Sequence, residues 1–370
     1  MKPVYVVLMI VFFLGVNSYV FYRLAYMLPG VGILRGVVAA AGVVVVLSFF
    51  GYFLGRDLFP PGVGSFMYAV GSSWMFMMVY FLILFLLLDV LRVIPGFPAG
   101  FIFHGNLAGF ALVVGLVAAV FVYGHLKYRN KERVELSLAV DKPCGRAACI
   151  KIVALSDLHL GSRIGRDELA EWVELVNRER PDVVLIAGDI VDFDVRPLYD
   201  QGMAEVFRRI RSKYGVYAVM GNHEYIAGAG RCAEFFDSAG ICLLRDTFVL
   251  VDDAFYIVGR DDRSRRRRKP VGELTGPLDR SKPVILLDHQ PFELEVAAAH
   301  GVDLQISGHT HRGQVWPISW ITDAVYEVSH GYRRKGDTHF YVSSGIGLWG
   351  GKFRIGTQSE YMVIGLGTGK

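Results

Sequence analysis

The sequence predicts a bundle of four membrane-spanning helices followed by an α/β domain. Three observations carry this. Charge is divided unevenly along the 370 residues: residues 1–126 hold five Lys/Arg and two Asp/Glu, and the remainder holds 34 and 33. The first third contains four long apolar runs. From Cys149 onward, short apolar runs alternate with stretches of helical spacing, the pattern of a sheet covered by helices. Over the whole chain 53% of residues are hydrophobic and 20% charged, against roughly 45–50% and 25% in ordinary globular domains. This composition excludes a wholly soluble protein, a disordered chain and a polycation built to coat nucleic acid.

The apolar runs cover about 4–22, 36–54, 66–88 and 107–126. The first three carry no charge and the fourth only His125. Each is close to the ~20 residues a helix needs to cross the hydrocarbon core. The first exceeds the usual apolar core of a secretory signal, lacks a small-x-small cleavage site and is followed by three more runs, so it reads as a span. Buried helices of a soluble core are excluded, because four such runs leave no polar face for water. Four spans put both ends on one side, with Lys2, Arg56, Lys127, Arg129, Lys131 and Arg133; the other side holds Arg23, Arg35 and Arg92. That bias predicts a cytoplasmic C-terminal domain. Asp89 and Arg92 share a helical face and are expected to pair at the interface. The region reads as an anchor over 1–126, with a basic juxtamembrane linker over 127–148 and a soluble domain over 149–370. Cys144, Cys149, Cys232 and Cys242 form no C-x-x-C pair and read as ordinary thiols.

In the soluble part, CIKIVALSDLH opens with a β-branched run that stops at a polar tip. Residues 167–180 follow with helical spacing of Leu169, Trp172, Val173 and Val176. PDVVLIAGDIVD is a second buried strand ending in a carboxylate, 204–213 reads as a helix, and YGVYAVMGNHE is a third strand. KPVILLDHQP and GVDLQISGHTH repeat the form, an apolar run and then histidine. In α/β sheets the chemistry belongs at the carboxyl ends of strands, and five strands here end in groups able to bind metal.

The candidates are Asp157 and His159 in SDLH, Asp189 in GDIVD, Asn222 and His223 in GNHE, His289 in DHQP, and His309 and His311 in GHTH. Carboxylate oxygen mixed with imidazole nitrogen suits manganese, iron or zinc, whereas an all-oxygen set suits calcium or magnesium. The set exceeds what one tetrahedral ion uses. Two ions sharing a bridging carboxylate account for the excess, and such pairs, about 3.5–4 Å apart, clamp the attacking and leaving oxygens of a phosphoryl displacement.

Each motif alone is weak. The order D-x-H, G-D, G-N-H, H, G-H-x-H, each after an apolar run, resembles the calcineurin-like metallophosphoesterase superfamily from about Cys149 to the C-terminus. The resemblance implies a metallophosphoesterase domain built as a two-sheet β-sandwich flanked by helices. It implies Asp157, His159 and His311 on one metal, Asn222, His289 and His309 on the other, and Asp189 bridging. His223 would face the phosphate and stabilise charge or protonate the leaving oxygen, since a histidine beside two dications is placed to act as acid or hydrogen-bond donor. Gly188, Gly221 and Gly308 are expected to let the backbone turn sharply beneath the ligands.

GHTHRGQVWP and SSGIGLWGGKFRIGTQSEYMVI further resemble a bacterial branch of membrane-associated metallophosphoesterases, with lipid-related members including UDP-diacylglucosamine pyrophosphatases. That branch often has Gly where Arg312 stands, so Arg312 is a candidate substrate contact. The run Arg265, Arg266, Arg267 and Arg268 is a second candidate, for a polyanionic substrate or anionic lipid headgroups, at roughly 1 kcal/mol per cation near a membrane. No aromatic residues interleave it, so nucleic acid is not expected. The expectation is a membrane-anchored two-metal phosphoesterase, with metal-bound hydroxide attacking a phosphodiester or pyrophosphate, as in a lipid-linked substrate such as UDP-diacylglucosamine. A phosphomonoesterase and a non-catalytic metal-dependent binding module are the alternatives; a complete ligand set disfavours the latter. A transporter is disfavoured by the scarcity of polar residues within the spans.

Overall fold

The computed structural model describes residues 3–30, 32–55, 58–97, 100, 105–143 and 149–368. Lys2 and Arg56, two of the flanking cations counted above, and Cys144 lie outside the described residues. The chain forms two compact units, Met1–Leu126 with Gly350–Phe353, and Lys127–Trp349 with Arg354–Lys370.

The first unit contains α1 (Pro3–Met27), α2 (Gly32–Gly55), α3 (Pro61–Leu91) and α4 (Leu107–Arg129), the last running on into the second unit. All four are long and apolar enough to cross a membrane. Apolar side chains such as Val11, Phe12, Val43, Leu47, Leu86 and Val122 point outward, the inverse of a helix that faces water. Small residues let the helices approach: a Cβ on Gly71 would lie 2.6 Å from the Phe49 Cα. Polar side chains turn inward and find partners. The Trp74 indole donates to Asn17 Oδ1 at 2.7 Å, and Asp89 accepts from Tyr19 and Arg23 at 2.7 and 2.5 Å. Asp89 thus takes its hydrogen bonds from Tyr19 and Arg23 of α1 rather than from Arg92, the partner expected from sequence, because donors on the neighbouring helix reach it among apolar side chains. Within this unit the Gly350 N–H donates to the Tyr68 hydroxyl at 2.8 Å, and the Phe353 ring meets Phe121 edge-on.

The second unit is an α/β sandwich of two mixed six-stranded sheets. Its strands are β1 (Lys131–Ala139), β2 (Cys149–Leu155), β3 (Val183–Ile186), β4 (Val216–Ala218), β5 (Ile241–Leu243), β6 (Thr247–Val251), β7 (Phe255–Gly259), β8 (Val284–Leu287), β9 (Leu304–Ser307), β10 (Gly331–Lys335), β11 (Thr338–Val342) and β12 (Ser359–Gly367). The sheet orders are β1-β12-β2-β3-β4-β5 and β10-β11-β9-β8-β7-β6. β2, β3 and β4 run parallel, as do β7, β8 and β9.

Alternation along the strands explains the layers. Ile152 and Ala154 of β2 join Ile285, Leu287, Leu304 and Ile306 in the core between the sheets. Val153 and Leu155 point the other way, onto the helices Arg166–Glu179 and Ala229–Ser238. The first of these helices buries Leu169, Trp172, Val173 and Val176, each worth roughly 1.5–3 kcal/mol. On the outer face of the second sheet, Val258 and Leu286 pack with Leu274 and Leu294 from short helices. The helix expected over 204–213 is only Met203–Phe207. Past Phe207 the sequence RRIRSK offers a single apolar residue to bury, and the chain turns back through Gly215, at φ 88°, into β4.

Candidate metal centre

The carboxyl ends of β2, β3, β4, β8 and β9 carry the candidates. Asp157 and His159 follow β2, Asp189 follows β3, His289 follows β8, and His309 and His311 follow β9. Asn222 and His223 open the short helix Asn222–Ala227 beyond β4. The structure gathers these residues from both sheets. Asp157, His159 and His311 form one group that could hold a metal ion, and Asp189, His289 and His309 a second.

Asp189 links the groups. Its Oδ2 lies 3.1 Å from His289 Nε2 and 3.8 Å from His159 Nε2. Asn222 Oδ1 completes the second group, 3.3 Å from His289 Nε2 and 2.7 Å from His309 Nδ1. Two bonds tie the sheets together here: His289 Nδ1 lies 2.7 Å from the Ala187 carbonyl, and the His309 N–H donates to Asp157 Oδ1 at 2.9 Å. The carbonyl can only accept, so His289 Nδ1 carries a proton and Nε2 is the ring nitrogen turned toward Asp189.

The local backbone is strained. Asp157, His159, Asp189, His309 and His311 all take left-handed φ, between 47° and 72°, each at roughly 1–3 kcal/mol. Of the glycines expected to turn beneath the ligands, Gly188 does so at φ 85°. Gly221 and Gly308 serve differently, and the expectation is corrected. A Cβ at Gly221 would lie 2.1 Å from Asp189 Oδ1, and one at Gly308 2.2 Å from Asp157 Oδ2. They are needed for close approach, while the ligand-bearing residues take the turn.

Burial sets the electrostatics. It raises the Asp157 pKa above the usual carboxylate range, with Asp189 adding to the effect. For Asp189 burial acts the same way, but the His289, His223 and His159 rings outweigh it and hold the carboxyl well below normal. Burial and neighbouring imidazoles push His311 well below its ordinary value and His309 down to about 4. His311 is therefore neutral, yet its Nε2 faces His159 Nε2 at 3.0 Å beside Asp157. Nitrogen lone pairs and a carboxylate converging in a buried site form a donor set that fits a cation of imidazole and carboxylate preference.

Residues 150–313 match the calcineurin-like phosphoesterase family. An uncharacterized metallophosphoesterase of Aquifex aeolicus is 31% identical over 222 residues, which cover 58% of this chain and 84% of that protein. The chain belongs to this family. A second metallophosphoesterase, of Helicobacter pylori strain J99, is 34% identical over 222 residues, covering 59% of this chain and 60% of the relative. A Danio rerio protein named transmembrane protein with metallophosphoesterase domain is 31% identical over 273 residues, covering 69% of this chain and 62% of its own. The chain thus spans about three fifths of the latter two (60% and 62%).

Around this candidate centre stand further residues that the motifs did not single out. Asp192 Oδ1 lies 3.3 Å from both His159 Nδ1 and His223 Nδ1, and its carbonyl lies 2.9 Å from the latter. That leaves Nε2 of His223 without a partner among the described residues. Burial opposes the charged form of His223, but Asp189 and Asp192 outweigh it and lift its pKa to about 9. Glu224 accepts from the N–H groups of Asp189, Val191 and Gly221 at 3.1, 2.8 and 2.7 Å; burial and the Asp189 charge raise its pKa to about 7. Arg354 is fully buried and donates to the carbonyls of His311, Ser344, Gly345 and Gly347, binding the GHTH turn to the SSGIG loop. The signal for Asp192 and Glu224 was present: each lies within or beside a ligand motif. Arg354 carried none, because a buried arginine held by carbonyls has no sequence pattern.

The structure divides the arginine run. Arg265 pairs with Asp261 at 3.0 Å and Asp246 at 3.4 Å, and Arg268 with Asp288 at 3.0 Å. Only Arg266 and Arg267 are exposed without a carboxylate partner among the described residues, so the expectation that all four face a ligand narrows to two. Arg312, half-buried at φ 49°, stands in the turn His311–Gly313 beside the first group.

Proposed function

We propose that this chain is a membrane-anchored hydrolase that uses two divalent transition ions (manganese, iron or zinc) to cleave a phosphodiester or pyrophosphate bond of a lipid-linked substrate. UDP-diacylglucosamine is an example of the class. Asp157, His159 and His311 would hold one ion; Asn222, His289 and His309 the other; Asp189 would touch both. The single observation that supports this best is the place of Asp189 Oδ2, within 4 Å of a histidine nitrogen from each group. When bound, two such ions supply Lewis-acid chemistry: they neutralise phosphate charge and make a nucleophile available near neutral pH.

The chain's own residues do the rest. Asp192 holds Nδ1 of His223 and so presents Nε2 to the leaving oxygen, to which it gives a proton. Glu224, through three backbone N–H groups, orients the turn that carries Asp189. Arg312 contacts the substrate phosphate from the first group's side. The full chain, loaded with manganese in detergent, is expected to hydrolyse nucleotide-linked lipids and aryl phosphodiesters in preference to phosphomonoesters. A preference for monoesters would replace this reading with that of a phosphomonoesterase, and inactivity on every class would leave a binding module.

We further propose that all four apolar helices span the membrane and that the phosphoesterase unit lies in the cytoplasm, on the strength of the flanking cations. A C-terminal reporter that fluoresces only when it folds in the cytoplasm is expected to be active. One active only after export would reverse the orientation.

A further inference from the structure

The segment between His311 and Ser329 leaves the metal centre and returns to it. At its base the Thr310 hydroxyl donates to the Ser329 carbonyl at 2.5 Å. Near its far end the Tyr326 ring stands 6.1 Å from the His309 ring and 4.8 Å from Phe292, and the Arg263 guanidinium lies 4.3 Å over Phe292. Between these points runs the helix Ile318–Val325, whose one buried residue is the polar Ser319. Its outer face is apolar: Trp320 is 64% exposed, Ile321 63% and Val325 58%, with Trp316 packed edge-on against Trp320. Single exposed apolar residues are commonplace, but a contiguous stripe on a surface helix is not.

We propose that this helix is a docking element for the bilayer interface, which seats the mouth of the metal centre where an amphiphilic substrate can enter from the membrane. Three observations select a lipid surface as the occupant. The chain carries four helices long and apolar enough to cross a membrane. Tryptophan paired with aliphatic side chains is the composition of a membrane-interface element, since the indole is apolar in body and polar at one edge. Exposed cations adjoin the excursion in the chain, Arg333 on β10 after Ser329, and Arg266 and Arg267 in the loop of Arg263, as expected for a surface that meets anionic headgroups.

The test uses the full chain in phosphatidylcholine vesicles with and without phosphatidylglycerol. Cys144, Cys149 and Cys242 are changed to Ser, the buried Cys232 is kept, and a nitroxide is placed by Ile321→Cys. In a parallel chain it is placed by Tyr199→Cys, an exposed site that packs on Phe235. The label at 321 is expected to be quenched by oxygen far more than by an aqueous nickel chelate, the more so with anionic lipid. The label at 199 should show the reverse. Equal aqueous exposure at both sites overturns the proposal, whatever the activity. A second arm rests on the lipid-linked substrate proposed above. The triple change Trp320→Ser, Ile321→Ser, Val325→Ser should slow hydrolysis of a lipid phosphoester in vesicles about tenfold more than that of a soluble aryl phosphodiester. Equal effects on the two substrates overturn the link to substrate entry. A wild-type chain inactive on both substrates refutes the proposed function, while the nitroxide result still decides the docking.

Discussion

Replacing Asp189 by alanine is expected to strip both metal ions from the protein together. Its Oδ2 lies between the two donor groups, 3.1 Å from His289 Nε2 and 3.8 Å from His159 Nε2. Loss of a ligand belonging to one group should release one ion, whereas loss of a shared ligand should release two. Elemental analysis after gel filtration is expected to fall from about two ions per chain to near none. Turnover should fall by more than roughly 10²-fold, beyond the cost of losing an outer hydrogen-bond partner. Asp189→Asn is the folding control. It keeps an oxygen able to accept the His223 N–H, which Asp189 Oδ1 now accepts at 2.9 Å, but removes the charge. A melting temperature near that of the wild type, together with lost metal, separates ligation from unfolding. Retention of both ions by Asp189→Ala would refute the bridging role.

His223→Ala is expected to do the opposite, sparing the metals and removing chemistry. The ring is held by Asp192 at Nδ1 and stacks edge-on to His159 at 4.5 Å, so it borders the first group without belonging to the ligand set proposed here. With a poor leaving group such as an alkoxide, turnover should drop by roughly 10²–10⁴-fold, the range of a lost general acid. A nitrophenolate leaving group needs little protonation and should lose much less. Metal content measured on the same preparation should stay at the wild-type level. Equal losses for both leaving groups would assign His223 to electrostatic stabilisation instead of proton transfer, and loss of metal would make it a ligand.

The α/β sandwich and its ligand-bearing strand ends were legible because each rests on local pattern. β2, β3, β4, β8 and β9 are apolar runs that stop at a polar tip, and both features sit within a dozen residues of chain. The helix over 204–213 was misread because helical spacing near Phe207 said nothing of where the chain must turn back to form β4. The inward pairing of Asp89 with Arg23, on separate helices, was beyond any reading of the third helix alone.

By itself, then, the sequence determined the four apolar helices, the alternation that builds two sheets, and the choice of the eight candidate residues from Asp157 to His311. Residue type and spacing are local properties, and burial of apolar runs follows from them. The tertiary structure alone decided which donors face one another, since Asp189 and His289 are a hundred residues apart and on different sheets. It decided that Gly221 and Gly308 are there for close approach, that Arg265 and Arg268 are held by acids while Arg266 and Arg267 meet none among the described residues, and that Arg354 fastens the GHTH turn. It also decided that Trp320, Ile321 and Val325 face outward. Whether an apolar helix face is covered depends on what the rest of the chain brings against it, and that is a property of the fold rather than of the segment.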